Sequence, residues 1–390
     1  MYSPGVPNHL RSLALPPAPR RPPTRLPALA AALVLAACAP RGESTFDPAA
    51  AGVGTVERII VATDRAPGAG AGTGLPLFTR ARQDPPHFLV FDVSVPGSRS
   101  GGTVAFPRHG RVEPRFDFLT IDARELDGVP GFVAALNQGL ADPASSREAM
   151  LFVHGFNTSF AEGLYRQAQL HHDVGGRSVQ VHYAWPSDAR LEGYLYDRES
   201  VLFSRDGLET TISALARTRV SQYTLVAHSM GTMLLMDTLR LMARVGYDEV
   251  FARTHAVLLL SPDIEIDVFR RQAIPVVARG VPIIVVVSSR DRALLASSLI
   301  RGEHMRVGSV RSTEELGVPG AHVIDISGVE DPGFTDHFAV ATSPELLAFL
   351  ASLQGGGLDA LDGAAGPLEA GAAIVRHGAG LVLTPLAGGP

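Results

Sequence analysis

One short stretch of the sequence decides the fold, and it reads Tyr223-Thr224-Leu225-Val226-Ala227-His228-Ser229-Met230-Gly231. Its first five residues form an apolar run that predicts a buried strand, and a helix is predicted to begin at about Thr232. A serine at a sharp turn between a strand and a helix needs small residues two positions before and two positions after it. Gly231 meets this need, and Ala227 stands where glycine is usual. The stretch therefore predicts a nucleophile elbow.

Ser229 is the candidate nucleophile. At a helix N-terminus, free N–H groups and the helix dipole favour an alkoxide and an anionic intermediate. The alternative is that Ser229 only caps the helix in a non-catalytic sheet protein.

The loop that would complete an oxyanion hole lies upstream. An apolar strand at Met150–Val153 is followed by His154 and Gly155, and this chemistry requires backbone N–H groups close to the nucleophile. We assign the two donors to the amides of Phe156 and Met230. His154 is expected to fix the loop by hydrogen bonding.

The acid and the base are expected at later strand ends. Asp291 follows the predicted strand Ile283–Val287, and catalytic groups gather at the carboxyl edge of a parallel sheet. Asp263 follows the strand before it and is the alternative acid, unless it lines the pocket or caps the next helix. His337 is the candidate base, in preference to three other histidines: His304, His322 and His377.

The rest of residues 149–352 alternates between apolar runs and amphipathic segments, which predicts a parallel sheet with crossover helices. Further strands are predicted at 179–184, 256–260 and 323–326, and helices at 160–171, 198–216, 232–245 and 267–278. Residues 56–148 form a β-rich N-terminal extension with strands at 58–62, 88–95 and 102–106. Residues 353–390 are a low-complexity tail, expected to be disordered or loosely packed.

The N-terminus has the dimensions of a signal peptide, predicted at residues 1–37. Arginines precede the apolar run Leu26–Ala37, and the run ends in Leu-Ala-Ala before Cys38. The segment Leu-Ala-Ala-Cys resembles the lipobox of bacterial lipoproteins, in which the cysteine is lipidated and becomes the mature N-terminus. Residues 38–55 would then be a lipidated cysteine and a flexible tether. An ordinary secretory signal and a buried N-terminal helix are the alternatives.

Composition excludes several classes of protein. The chain has 390 residues, 46% of them apolar, which excludes global disorder. A formal charge of −5 gives no reason to expect a nucleic-acid partner. One cysteine excludes an intrachain disulfide framework, and no dense His/Asp/Glu spacing predicts a metal site.

Residues 56–352 resemble the α/β-hydrolase superfamily, and more narrowly a bacterial esterase/lipase-like family whose members are mostly of unknown function. The segments that carry the resemblance are Val61-Ala62-Thr63-Asp64-Arg65, Val93-Ser94-Val95-Pro96, Phe152-Val153-His154-Gly155-Phe156-Asn157-Thr158, Tyr183-Ala184-Trp185-Pro186-Ser187, Asp197-Arg198-Glu199-Ser200, Ala227-His228-Ser229-Met230-Gly231, Pro262-Asp263-Ile264 and Ser288-Ser289-Arg290-Asp291-Arg292-Ala293-Leu294. The resemblance implies an α/β fold with a mostly parallel central sheet flanked by helices.

It also implies a serine hydrolase without a cofactor, in which Ser229, His337 and Asp291 cleave a small-molecule or lipid ester through an acyl-enzyme. Acyl transfer or thioester cleavage by the same triad is the first alternative. A non-catalytic envelope lipoprotein that binds a ligand is the second. We expect the protein in the bacterial cell envelope, lipid-anchored, on the outer membrane and facing the periplasm.

Overall fold

The computed structural model describes Met1 and residues 42–68, 77–108, 110–288, 305–326, 347 and 349–350, with the backbone of residues 367–368, 372–377 and 380–385. The chain divides after Arg41 into two units, and the fold below is that of the second.

A single sheet organises the described residues. Its strands are β1 (Thr55–Pro67), β2 (Phe78–Val95), β3 (Leu119–Glu125), β4 (Ala149–Val153), β5 (Val179–Ala184), β6 (Tyr223–His228), β7 (Thr254–Leu260), β8 (Ile283–Val287), β9 (Ala321–Asp325), β10 (Pro367–Leu368), β11 (Ala372–His377) and β12 (Gly380–Pro385). Within the described chain their order is β10-β11-β12-β9-β8-β7-β6-β4-β5-β1-β2-β3. The strands from β12 to β1 in this order pair in parallel, and the two outer ends are antiparallel.

Helices connect the parallel strands and cover the sheet. Among the described residues they are α1 (Gly128–Leu140), α2 (Phe160–Val174), α3 (Tyr194–Phe203), α4 (Arg205–Ala216), α5 (Met230–Val245), α6 (Asp248–Arg253), α7 (Ile266–Val277) and α8 (Thr313–Leu316). No described helix has the length and the apolar composition needed to cross a membrane.

The central strands are apolar on both sides because both faces of the sheet are covered. In β6, Leu225 packs into the core on one face with Leu235 of α5. Its neighbour Val226 packs on the other face with Leu170 of α2. The structure therefore confirms the predicted α/β sheet with helices on both faces, and the continuous apolar runs are its buried strands.

The N-terminal extension is antiparallel at β1, β2 and β3, but its third strand lies elsewhere than predicted. Residues 102–106 form no strand, since Gly102 adopts a positive φ of 78° and Val104 and Phe106 pack as loop side chains against the apolar cluster beneath β1 and β2. The third strand is β3, and α1 follows it without having been predicted. The apolar residues of this loop pack against the core. Their composition is the same as that of a strand, so composition alone does not distinguish the two.

Two further differences concern helices and the tail. The helix predicted at 198–216 is two helices, because Ser204 leaves the helical conformation and its carbonyl accepts a hydrogen bond from the Tyr183 hydroxyl at 2.9 Å. The tail, expected to lack regular structure, contributes β10, β11 and β12. Short runs such as Leu381-Val382-Leu383 have the β-branched and apolar composition of strands.

Candidate active site

The predicted elbow is present at the carboxyl end of β6. Ser229 has φ of 50° and ψ of −123°, a conformation that residues with a side chain rarely adopt, and α5 begins at the next residue. Its N–H donates to the carbonyl of Leu260 at 2.9 Å, which ties the turn to β7. The surrounding strands hold a strained serine at a helix N-terminus, as the sequence predicted.

Two glycines allow the turn and the loop after β4 to lie against each other. A Cβ on Gly155 would lie 2.9 Å from the Ser229 Cβ and 2.7 Å from His228 Nδ1. A Cβ on Gly231 would lie only 2.2 Å from the carbonyl oxygen of His154. Both contacts are closer than real side chains tolerate, so glycine is required at each position.

The amides assigned to the oxyanion hole border this contact. Phe156 follows Gly155 in the loop, and Met230 is the first residue of α5, where N–H groups have no intrahelical partner. Within the described part of the chain, neither amide donates a hydrogen bond. Phe156 and Met230 are therefore adjacent in the chain to Gly155 and Ser229, the two residues that lie against each other.

His154 is a buried support for this loop. Its ring stacks on Trp185, with centroids 4.9 Å apart, and the Trp185 indole N–H donates to the His154 carbonyl at 2.7 Å. His154 Nε2 lies 3.0 Å from the Trp185 carbonyl. Burial and the nearby Arg65 hold the pKa of His154 well below its ordinary value. These contacts agree with the predicted loop-fixing role and place Trp185 in the core.

A buried arginine connects the loops around the site, and it is not among the site residues predicted from the sequence. Arg65 donates to the carbonyl of Thr158 at 2.9 Å, to that of Ser187 at 3.2 Å and to that of Thr79 at 3.3 Å. Burial lowers the pKa of Arg65 to about 10, so the guanidinium stays charged at neutral pH. It joins the oxyanion loop to the loop after β5.

Asp197 of α3 stabilises the same two loops from the other side. Its carboxylate accepts from the Asn157 N–H at 3.2 Å, the Ser187 hydroxyl at 2.6 Å and the Asp188 N–H at 2.6 Å. Burial raises its pKa, which these hydrogen bonds and Arg65 partly offset. Arg65 and Asp197 both lie in segments that carry the family resemblance, which was the available signal for them.

Asp64, next to Arg65, is a buried carboxyl of a different kind. Its carboxyl group is hydrogen-bonded to the Tyr183 hydroxyl, and Gly207 packs directly over it. Burial raises its pKa to about 7. The group therefore titrates near neutral pH, behind the site.

Asp263, the alternative acid, lies close to the elbow. Its N–H donates weakly to the Ser229 carbonyl, at 3.4 Å. Its carboxylate forms a buried ion pair with Arg306 and accepts from the Tyr194 hydroxyl at 3.1 Å. The Tyr194 ring also packs edge-on against Phe156, with centroids 5.3 Å apart. Neither Arg306 nor Tyr194 is among the residues predicted from the sequence, and neither lies in a segment that carries the family resemblance.

Three of the predicted functional residues, Asp291, His337 and Cys38, lie outside the described residues. The topology nevertheless fixes the strand that precedes Asp291. That strand is β8, which pairs with β7, and β7 pairs with β6. Of the alternative bases, His322 lies within β9.

No metal centre is found in the part of the chain that the structure describes. That part contains no group of three or more His, Cys, Asp or Glu side chains that could hold a metal ion. A cavity of about 730 Å³ is lined by the starts of β1 and β5 and by the end of α1. Because it lies at the amino edge of the parallel strands, it is not part of the site around Ser229.

Residues 134–354 match the family described as "Alpha/beta hydrolase of unknown function (DUF900)". No curated protein matches the chain.

Similar solved structures include lipase B of Aspergillus fumigatus, at 12% identity and a TM-score of 0.36, over 60% of this chain and 59% of the lipase. A chain from a study of two Rhizomucor miehei esterases matches at 10% identity and a TM-score of 0.33, over 85% of this chain and 98% of the matched one. An esterase of Pyrobaculum calidifontis matches at 13% identity and a TM-score of 0.32, over 78% of this chain and 87% of the esterase. The lipase match spans less than two thirds of that protein.

The family match covers more than half of the chain and includes the elbow, the oxyanion loop and the strands that hold them. The chain belongs to this α/β-hydrolase family.

Proposed function

We propose that the protein is a serine hydrolase that cleaves carboxylic esters with Ser229 as its nucleophile. The observation that carries the proposal is the strained backbone of Ser229, packed against Gly155 and flanked by the amides of Phe156 and Met230. A strained backbone conformation costs free energy, and residues that keep one cluster at functional sites.

In the proposed reaction, the Ser229 hydroxyl attacks the ester carbonyl carbon while His337 Nε2 accepts its proton. The carbonyl oxygen becomes an oxyanion held by the two amides. Collapse of this intermediate breaks the bond to the alcohol, which leaves with the proton from His337. Water then attacks the acyl-enzyme in the same way and releases the carboxylic acid.

Asp291 is the proposed partner of His337. It follows β8 in the chain, and the carboxyl end of β8 lies at the same edge of the sheet as that of β6, which precedes Ser229. The rival Asp263 already balances the buried charge of Arg306 and accepts from Tyr194. A carboxylate committed to an arginine stabilises a histidine cation less, which favours Asp291 as the acid and Asp263 as a support for the pocket wall.

We also propose that the protein is anchored to the bacterial envelope through lipidated Cys38. The support for this is the sequence alone, in which arginines, an apolar run and Leu-Ala-Ala-Cys occur in the order of a lipoprotein signal.

The test of the hydrolase proposal is turnover of a p-nitrophenyl ester by the purified protein and by Ser229→Ala. We expect turnover to fall by several orders of magnitude, to a residual level of about 10³–10⁴ over water from the oxyanion hole and binding. Ser261→Ala is the matched control, because Ser261 is also buried, follows the neighbouring strand and has a positive φ of 44°. Equal turnover of the wild type and Ser229→Ala would refute the proposal, and so would an equal loss in both variants.

A further inference from the structure

Two leucines beside the candidate site are exposed to solvent. Leu191 is 60% exposed and Leu195 is 77% exposed. Leu191 belongs to a short 3-10 turn that leads into α3, and Leu195 is the second residue of that helix. The two residues are four positions apart in the chain, and both side chains face solvent.

Tyr194 lies between the two leucines in the chain and relates them to the carboxyl edge of the parallel strands, where Ser229 lies; we call this the catalytic edge. Tyr194 contacts Phe156 of the oxyanion loop with its ring and Asp263 with its hydroxyl. The apolar pair therefore flanks, in the chain, a residue that contacts both the oxyanion loop and the segment after β7.

The N-terminal segment of the described chain begins at this same edge. The carbonyl of Gly42 accepts a hydrogen bond from the hydroxyl of Ser159 at 3.4 Å, and Ser159 caps α2 directly after the oxyanion loop. From there the segment follows α2, since the Thr45 N–H donates to the Tyr165 hydroxyl at 3.2 Å. Only three residues separate Gly42 from Cys38, so the chain between them can extend at most about 14 Å.

We infer that the catalytic edge of the sheet faces a lipid surface, that Leu191 and Leu195 insert into it, and that the ester substrate is carried in that surface. This inference rests on the proposed function and on the proposed lipid anchor. A lipid on Cys38 keeps the surface within reach of Gly42. Gly42 contacts Ser159 directly after the oxyanion loop, and Tyr194, between the leucines, contacts Phe156 of the same loop. Burial of exposed leucine side chains in the acyl region then holds this edge of the sheet against the lipid.

The experiment uses the full acylated chain in vesicles of phosphatidylethanolamine and phosphatidylglycerol. Since Cys38 is the only cysteine and its thiol is consumed by the lipid, Leu195→Cys and Val245→Cys each supply one free thiol for a fluorescent probe. Val245 is the matched control because it is 73% exposed and ends α5, about 24 Å along the helix from Ser229. We expect lipid-borne quenchers to quench the probe at position 195 and not the probe at position 245.

A second readout compares a vesicle-borne ester with a soluble aryl ester. For Leu191→Ser/Leu195→Ser, the ratio of the two rates should fall at least tenfold, since each buried leucine is worth about a factor of ten in partition. Val245→Ser should keep the wild-type ratio.

Several outcomes would overturn the inference. They are equal quenching at the two positions, an unchanged rate ratio, a probe at position 195 that is buried by a second copy of the chain in vesicle-free solution, or the absence of lipid on Cys38. If the wild type hydrolyses neither ester, the proposed function fails, and the quenching result still decides the orientation.

Discussion

Replacing Gly155 with alanine tests the contact between the oxyanion loop and the elbow. The added methyl would lie 2.7 Å from His228 Nδ1 and 2.9 Å from the Ser229 Cβ. Carbon atoms in ordinary contact are about 3.5–4.0 Å apart, so the loop and the turn must separate by more than about 0.5 Å. The amide of Phe156 moves with the loop.

The size of the effect follows from this displacement. Misplacement of catalytic groups by about 1 Å costs up to about 10²-fold in rate, and loss of one oxyanion donor costs about 10²–10³-fold. We therefore expect kcat on a soluble aryl ester to fall by about 10²-fold in Gly155→Ala. Overpacking should also lower the free energy of unfolding by about 1–3 kcal/mol.

The assay measures kcat and urea unfolding of the same preparation, with Gly97→Ala as the control. Gly97 has open space where a Cβ would stand, so its free energy of unfolding should change by less than about 1 kcal/mol and kcat should stay at the wild-type value. A folded Gly155→Ala protein with wild-type kcat would refute the assignment of this loop to the oxyanion hole.

Other predictions address the anchor, the acid and the buried carboxyl. Cys38→Ser should release the protein from membranes, and fractionation that stays unchanged, with no lipid on the wild type, would contradict the lipoprotein proposal. Asp291→Asn should lower kcat by about 10⁴-fold, as is typical when a triad aspartate becomes asparagine. Asp263→Asn should lower kcat less, and the opposite ranking in folded variants would move the acid to the end of β7. Burial raises the pKa of Asp64 from 3.8 to about 7, so the folded state binds more protons than the unfolded state between these pH values. The wild-type free energy of unfolding should therefore fall by about 2–3 kcal/mol from pH 5 to pH 8, relative to that of Asp64→Asn; equal pH profiles would contradict this.

The sequence predicts the central sheet well because its physical requirements are local. Strands buried on both faces need continuous apolar runs, and the runs at β4, β5, β6, β7 and β8 match the structure to within two residues. The elbow is recognisable for the same reason, since its small residues stand at fixed positions around Ser229.

The supporting network is not predictable in this way because its contacts join distant parts of the chain. Arg65 lies more than 90 residues from Thr158 and more than 120 from Ser187 along the chain. Charged residues are usually exposed, so nothing in the local pattern indicates that Arg65 and Asp197 are buried together. Only the three-dimensional pairing of β1 with β5 brings these loops into contact.

The most direct test of the central claim is the site of covalent labelling by a fluorophosphonate, located by mass spectrometry of the digested protein. We predict one adduct per chain, on the hydroxyl of Ser229, which is absent in Ser229→Ala and present in Ser261→Ala. A wild-type protein that is folded and unlabelled, or one labelled at another serine, would contradict it.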